Sequence, residues 1–130
     1  VHPEVVRMLF AAAPGRVTLV TDAMAAAGAS DGRYQLGPLA VDVLGGIARL
    51  REGGAIAGST LTQDAALRWA VETAGVPLTD AVTALTSTPA QVIGHRERLG
   101  HLRSGYAADA VLLDPELRVT SVWCDGERIA

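Results

Sequence analysis

Asp22 is the side chain best placed to do chemistry in this 130-residue sequence. It follows Arg16-Val-Thr-Leu-Val-Thr21, where Val17, Leu19 and Val20 are apolar and Thr18 is β-branched. A near-continuous run of that kind predicts a short parallel strand over residues 17–21, covered on both faces. A carboxylate at the exit of such a strand has water or substrate close by, and the C-terminal strand ends of parallel barrels are where active sites are built. There it could take a proton and return it. The plainer alternative is that Asp22 caps the following turn, a common use of Asp where strands end.

A second candidate lies in Ala55-Ile-Ala-Gly-Ser-Thr60, which sets a glycine and two hydroxyls ahead of a helical pattern. Backbone N–H groups there could bind a polar substrate group. Thr60 and Gln63 also have capping-box spacing, which predicts a plain helix start. His2, His95 and His101 are far apart and belong to no H-x-H or H-E-x-x-H arrangement, so they predict no metal site. Cys124 lies in an apolar strand pattern with no histidine nearby and is expected to be a packed thiol. No G-x-S-x-G, phosphate-cradling loop or C-x-x-C occurs. By pattern alone the catalytic apparatus is incomplete.

The elements that must position these groups follow from local signals. Pro3, Glu4 and the stop at Pro14-Gly15 predict a helix from Pro3 to Ala13, with Val5, Val6, Leu9, Phe10 and Ala13 near one stripe. Residues 23–32 form a small-residue loop that could lie near a ligand or serve as a connector. Leu39-Ala-Val-Asp-Val-Leu44 and Ile47-Ala-Arg-Leu50 flank Gly45-Gly46 and predict a hairpin. Leu67, Ala70, Val71 and Ala74 repeat at helical intervals, and two further helices are expected over residues 79–87 and 88–94. Strands are expected at residues 99–102, 110–113 and 119–124, with a tight turn at Asp125-Gly126. The order runs from α/β alternation through helices to an antiparallel tail.

Composition narrows the function classes. The net charge of −3 does not suit a strongly basic nucleic-acid surface. No apolar stretch approaches the roughly 18 to 20 residues that cross a bilayer, and no leader pattern opens the sequence. One cysteine cannot form an internal disulfide, which fits a reducing cytoplasm. Ala and Gly are abundant and aromatics scarce, so a core must rest on Val, Leu and Ala.

Val20-Thr-Asp-Ala-Met24 with Ala27-Gly28 resembles the last barrel strand of the N-acetylglucosamine-6-phosphate deacetylases of the amidohydrolase superfamily. The likeness continues through Gly54-Ala-Ile-Ala-Gly-Ser-Thr-Leu61, Thr88-Pro-Ala90, Leu99-Gly-His-Leu-Arg-Ser-Gly105 and Ala108-Asp109. It covers essentially the whole chain and corresponds to the C-terminal third of a family member. The resemblance implies an α/β fold: the C-terminal part of a TIM-like (β/α)8 metal-dependent hydrolase barrel, followed by strands of a small β-sandwich domain. Residues 1–94 would supply the barrel part and residues 95–130 the sandwich strands.

It further implies hydrolysis of the acetamide of N-acetylglucosamine 6-phosphate to glucosamine 6-phosphate and acetate, with Asp22 as general base and then general acid. Ala57, Gly58 and Ser59 would line the substrate pocket through backbone groups. A divalent metal, zinc or iron, would serve the full-length enzyme, its glutamate and two histidine ligands lying on strands not in this chain. The 130-residue chain alone is therefore expected to be inactive. A cytoplasmic homodimer, with no nucleic-acid or membrane partner, is expected of the full-length protein. His2 is offset by two positions from the family's substrate histidine and takes no role by resemblance. Two alternatives stay open: an inactive truncated fragment or interaction module, and another amidohydrolase of the dihydroorotase or deaminase type.

Overall fold

A computed structural model describes all 130 residues. The chain packs as two units, one of residues 20–66 and one of residues 1–19 with 67–130, each with its own apolar core.

In the first of these, β1 (Gly32–Leu36), β2 (Leu39–Leu44) and β3 (Ile47–Leu50) form an antiparallel sheet in sequence order. The predicted hairpin is present, with Leu44 opposite Ile47. Gly45 and Gly46 take φ of 59° and 72°, the left-handed pair that a two-residue turn between twisted strands requires. Asp31 holds this turn from outside, its carboxylate accepting from the N–H groups of both Gly45 and Gly46. The Thr60 hydroxyl donates to the Gly46 carbonyl at 2.6 Å. That contact displaces the expected capping box: the next helix starts at Gln63, and its first-turn carbonyl is Thr62, which accepts from the Ala66 N–H. Val41 and Val43 point to one face of β2 and pack with Met24, Ala26, Ala48 and Ala57. On the opposite face the Arg51 guanidinium lies 2.9 Å from Asp42 and holds its carboxyl below the usual range. That lowered value contributes stability above the ordinary Asp range and loses it as pH falls, a small effect for an exposed pair.

The other unit opens with α1 (Pro3–Ala12), whose N-cap is His2, its Nδ1 accepting from the Glu4 N–H at 3.3 Å. α2 (Gln63–Arg68), which begins in the first unit, runs into a π-helical turn over Trp69–Thr73, closed by the Ala74 N–H on the Trp69 carbonyl. α3 (Leu78–Leu85) and α4 (Ser87–Val92) follow. Leu67, Ala70, Ala74, Val76 and Ala81 form the core, with Val6 and Phe10 of α1 packed against it. β4 (Ala110–Leu113), β5 (Val119–Cys124) and β6 (Glu127–Arg128) make a second antiparallel sheet, from which Leu113 and the adjoining Leu117 reach the same core. Asp125 and Gly126, at φ of 51° and 83°, form the expected turn, and Asp109 accepts from the Asp125 N–H at 2.8 Å.

Besides the capping box, three local expectations fail. Residues 17–21 belong to no strand; both sheets are antiparallel and built from other segments, and the Leu19 N–H goes to the carbonyl of Ala84 at the end of α3. Val20 is 73% exposed, so the both-faces-covered strand does not form. Residues 99–102 are not a strand, because Gly100, at φ of 88°, lies against the backbone of Thr86 and Ser87. Cys124 is exposed, since it is the last residue of β5 and adjoins the turn.

An added Cβ at Gly100 would stand 2.7 Å from the Ser87 Cα. Gly100→Ala is therefore expected to lower unfolding free energy by about 3 kcal/mol, combining a left-handed backbone with a backbone clash. Gly15→Ala, at φ of 68° with nothing within 4 Å, should cost only about 1 kcal/mol. Denaturant melts of the two variants check the difference.

Candidate functional site

Asp22, Ala57, Gly58 and Ser59 all lie in the unit of residues 20–66. Two segments 38 residues apart carry them and meet in an isolated parallel bridge between Ala23 and Ser59. The Ser59 N–H donates to the Asp22 carbonyl at 2.8 Å, and the Met24 N–H donates to the Ser59 carbonyl at 2.9 Å. The sequence folds this way because both segments are made of small residues. Gly58 takes φ of 66°, and a Cβ there would stand 3.1 Å from the Asp22 carbonyl oxygen and 3.3 Å from the Met24 Cβ. Only glycine allows that approach at that backbone angle.

Asp22 itself has φ of 51°, a left-handed conformation uncommon for a residue with a side chain but tolerated by Asp. Its carboxylate is exposed and makes no hydrogen bond or ion pair. The neighbouring Thr21 hydroxyl accepts from the Ala23 N–H at 3.3 Å, a local turn contact. The turn that Asp22 was alternatively expected to cap is thus served by Thr21.

The three other candidates differ in what they leave open. Ala57 is buried in the core, and its N–H donates to the Ala48 carbonyl. The Ser59 N–H is taken by Asp22, and the Ser59 hydroxyl donates to the Thr21 carbonyl at 2.5 Å and accepts from the Leu61 N–H at 3.0 Å. Gly58 alone of the three keeps an N–H without a partner. It lies with Ser59, Thr60 and Leu61 along a shallow open groove whose far side is Gly46, Ile47 and Ala48. The fully occupied Ser59 hydroxyl was not foreseen; the signal that pointed toward it was Gly58, a residue that invites close backbone approach.

The histidines all belong to the other unit, with His2 in the cap of α1 and His101 edge-on to Tyr106 at 5.6 Å. No three His, Cys, Asp or Glu side chains converge in a group able to hold a metal ion. The residues of this chain do not fit a resident metal by themselves.

Residues 10–129 match the model of the amidohydrolase family. An N-acetylgalactosamine-6-phosphate deacetylase of Escherichia coli O157:H7 is 42% identical over 127 residues, 98% of this chain and 33% of its own length. An N-acetyl-D-glucosamine-6-phosphate deacetylase of Mycobacterium smegmatis, solved as an aspartate-to-alanine mutant in complex with N-acetyl-D-glucosamine-6-phosphate, superposes with a TM-score of 0.87. It is 40% identical, over 98% of this chain and 34% of that one. The N-acetylglucosamine-6-phosphate deacetylase of Pasteurella multocida superposes with a TM-score of 0.94 at 26% identity, over 100% of this chain and 34% of that one. The chain spans about a third of the length of each of these three. An α/β architecture shared with these deacetylases, and a family match over nearly every residue, lead to one conclusion: the chain belongs to the amidohydrolase family.

Proposed function

We propose that this chain is the proton-transferring portion of an enzyme that hydrolyses the acetamide of N-acetylglucosamine 6-phosphate. The observation that carries the reading is the exposed, unpartnered Asp22 carboxylate, held by its own backbone against the 57–59 segment. Asp22 takes the proton of the water that attacks the acetyl carbonyl. As the tetrahedral intermediate collapses, the same group returns a proton to the departing amine nitrogen, and acetate and the free amino sugar leave. A carboxylate with no competing ion pair is available in both steps. The 57–59 segment contributes its backbone: the Gly58 N–H is the donor left for a substrate oxygen, on a segment anchored by the Ala57 N–H on the Ala48 carbonyl.

Residues 1–94 fit this reading as barrel-derived and residues 95–130 as strands of the small β domain. Family members use a metal, and the resemblance favours zinc or iron on residues outside this chain; no step above is assigned to it. No helix here is long and apolar enough to cross a membrane. A cytoplasmic homodimer completes the proposal for the full-length protein. The deacetylases named above leave the dihydroorotase or deaminase alternative without support.

Asp22→Asn in the complete reading frame is expected to reduce kcat by about 10²- to 10⁴-fold, the usual worth of a general acid–base group, with little change in KM. Acetate release measures it, and activity near wild type would return Asp22 to a structural role. The purified 130-residue chain should release no acetate from the sugar phosphate; measurable turnover would show that the machinery is complete within it. Between the gluco and galacto substrates, the complete enzyme should have the larger kcat/KM on the gluco epimer, and the reverse order would reassign the sugar.

A further inference from the structure

We propose that Ser59 is the positioning residue for Asp22, its hydroxyl and amide together turning the Asp22 peptide into the left-handed conformation from which the carboxylate works. The inference rests on Asp22 being the proton carrier. In an extended chain, successive carbonyls point to opposite sides. Here the Thr21 and Asp22 carbonyls both point at one residue, accepting from the Ser59 hydroxyl at 2.5 Å and the Ser59 N–H at 2.8 Å. Reaching that arrangement requires a backbone rotation between the two carbonyls, and Asp22, with φ of 51°, makes it.

The remaining polar functions of Ser59 are occupied too. Its carbonyl accepts from the Met24 N–H and its Oγ from the Leu61 N–H. A hydroxyl whose single proton is donated to a backbone carbonyl has none to give a substrate. Ser59 therefore acts through Asp22. The strain of a left-handed residue with a side chain and the net worth of one hydrogen bond are of the same order. Losing the hydroxyl lets the peptide between residues 21 and 22 turn away, and the carboxylate then leaves its working position for part of the time.

The test is a double-mutant cycle in the complete enzyme, scored by acetate release from N-acetylglucosamine 6-phosphate. Ser59→Ala should lower kcat by about 10- to 100-fold, the size of loss that small misplacement of a reacting group produces. KM should stay within about threefold. In the Asp22→Asn background, Ser59→Ala should cost nothing more, because a residue acting only through Asp22 has nothing left to position. Ser59→Thr should keep most of the activity, and Ser59→Val, of the same shape without the hydroxyl, should lose it; this pair decides the matter if Ser59→Ala does not fold. An unchanged kcat in Ser59→Ala or Ser59→Val overturns the proposal. So does a rise in KM alone, which marks a substrate contact, and so do losses that multiply in the double variant. Retained activity in Asp22→Asn overturns the proton-carrier reading and this inference with it, whereas a dead Asp22→Asn beside a fully active Ser59→Ala overturns only the role of Ser59.

Discussion

The parallel bridge between residues 23 and 59 is the constraint on which the unit of residues 20–66 depends. From it the 57–59 segment runs back to β3 through the Ala57 N–H on the Ala48 carbonyl. On the other side, Met24 and Ala26 enter the core formed with Val41, Val43 and Ala48. A glycine that tolerates close approach, an alanine small enough to be buried behind it and a methionine able to fill an irregular gap explain why so few large side chains suffice. The same bridge leaves the Asp22 side chain outside the core while its backbone is gripped. Anchoring through the main chain thus fixes the residue while its side chain stays in water.

Much of this was legible where the deciding forces are local. The hairpin about Gly45-Gly46, the first turn of α1 and the turn at Asp125-Gly126 all rest on residues adjacent in sequence, and each forms where expected. The failures share the opposite property. Thr60 has the spacing of a cap, but the carbonyl of Gly46 offers its hydroxyl a better partner from another part of the chain. Residues 17–21 have the composition of a covered strand, but composition cannot supply the neighbours a ladder needs. Alternation suggested a packed Cys124, and its place at the end of β5 exposes it. At the candidate site the sequence offered residues for a role but not their backbone. The left-handed turn of Asp22 was not legible, because Thr21 and Asp22 are held by contacts to Ser59, far along the chain.

The strings that carry the family likeness gain a steric meaning from the coordinates. Gly58 and Gly100 are the two glycines whose added Cβ would meet backbone atoms closest, at 3.1 Å and 2.7 Å, and both fall inside those strings. Gly28 and Gly105, also inside those strings, face open space, as does Gly15 outside them. Asp109, in the last of the strings, is spent on the Asp125 amide as Asp31 is on the Gly45-Gly46 turn. Part of what identifies the family is thus a record of where two stretches of main chain must touch.

The backbone angle at Asp22 also limits what can replace it. Besides glycine, the residue most at ease with positive φ is asparagine, which has almost the same outline and cannot accept a proton. Glutamate keeps the acid but is less suited to that angle and carries it one carbon farther out. The substitution that folding would overlook most easily is therefore the one that removes the carboxylate, and it is a single base away in the aspartate codons. The architecture could stay intact while the charge at this position is lost in one step.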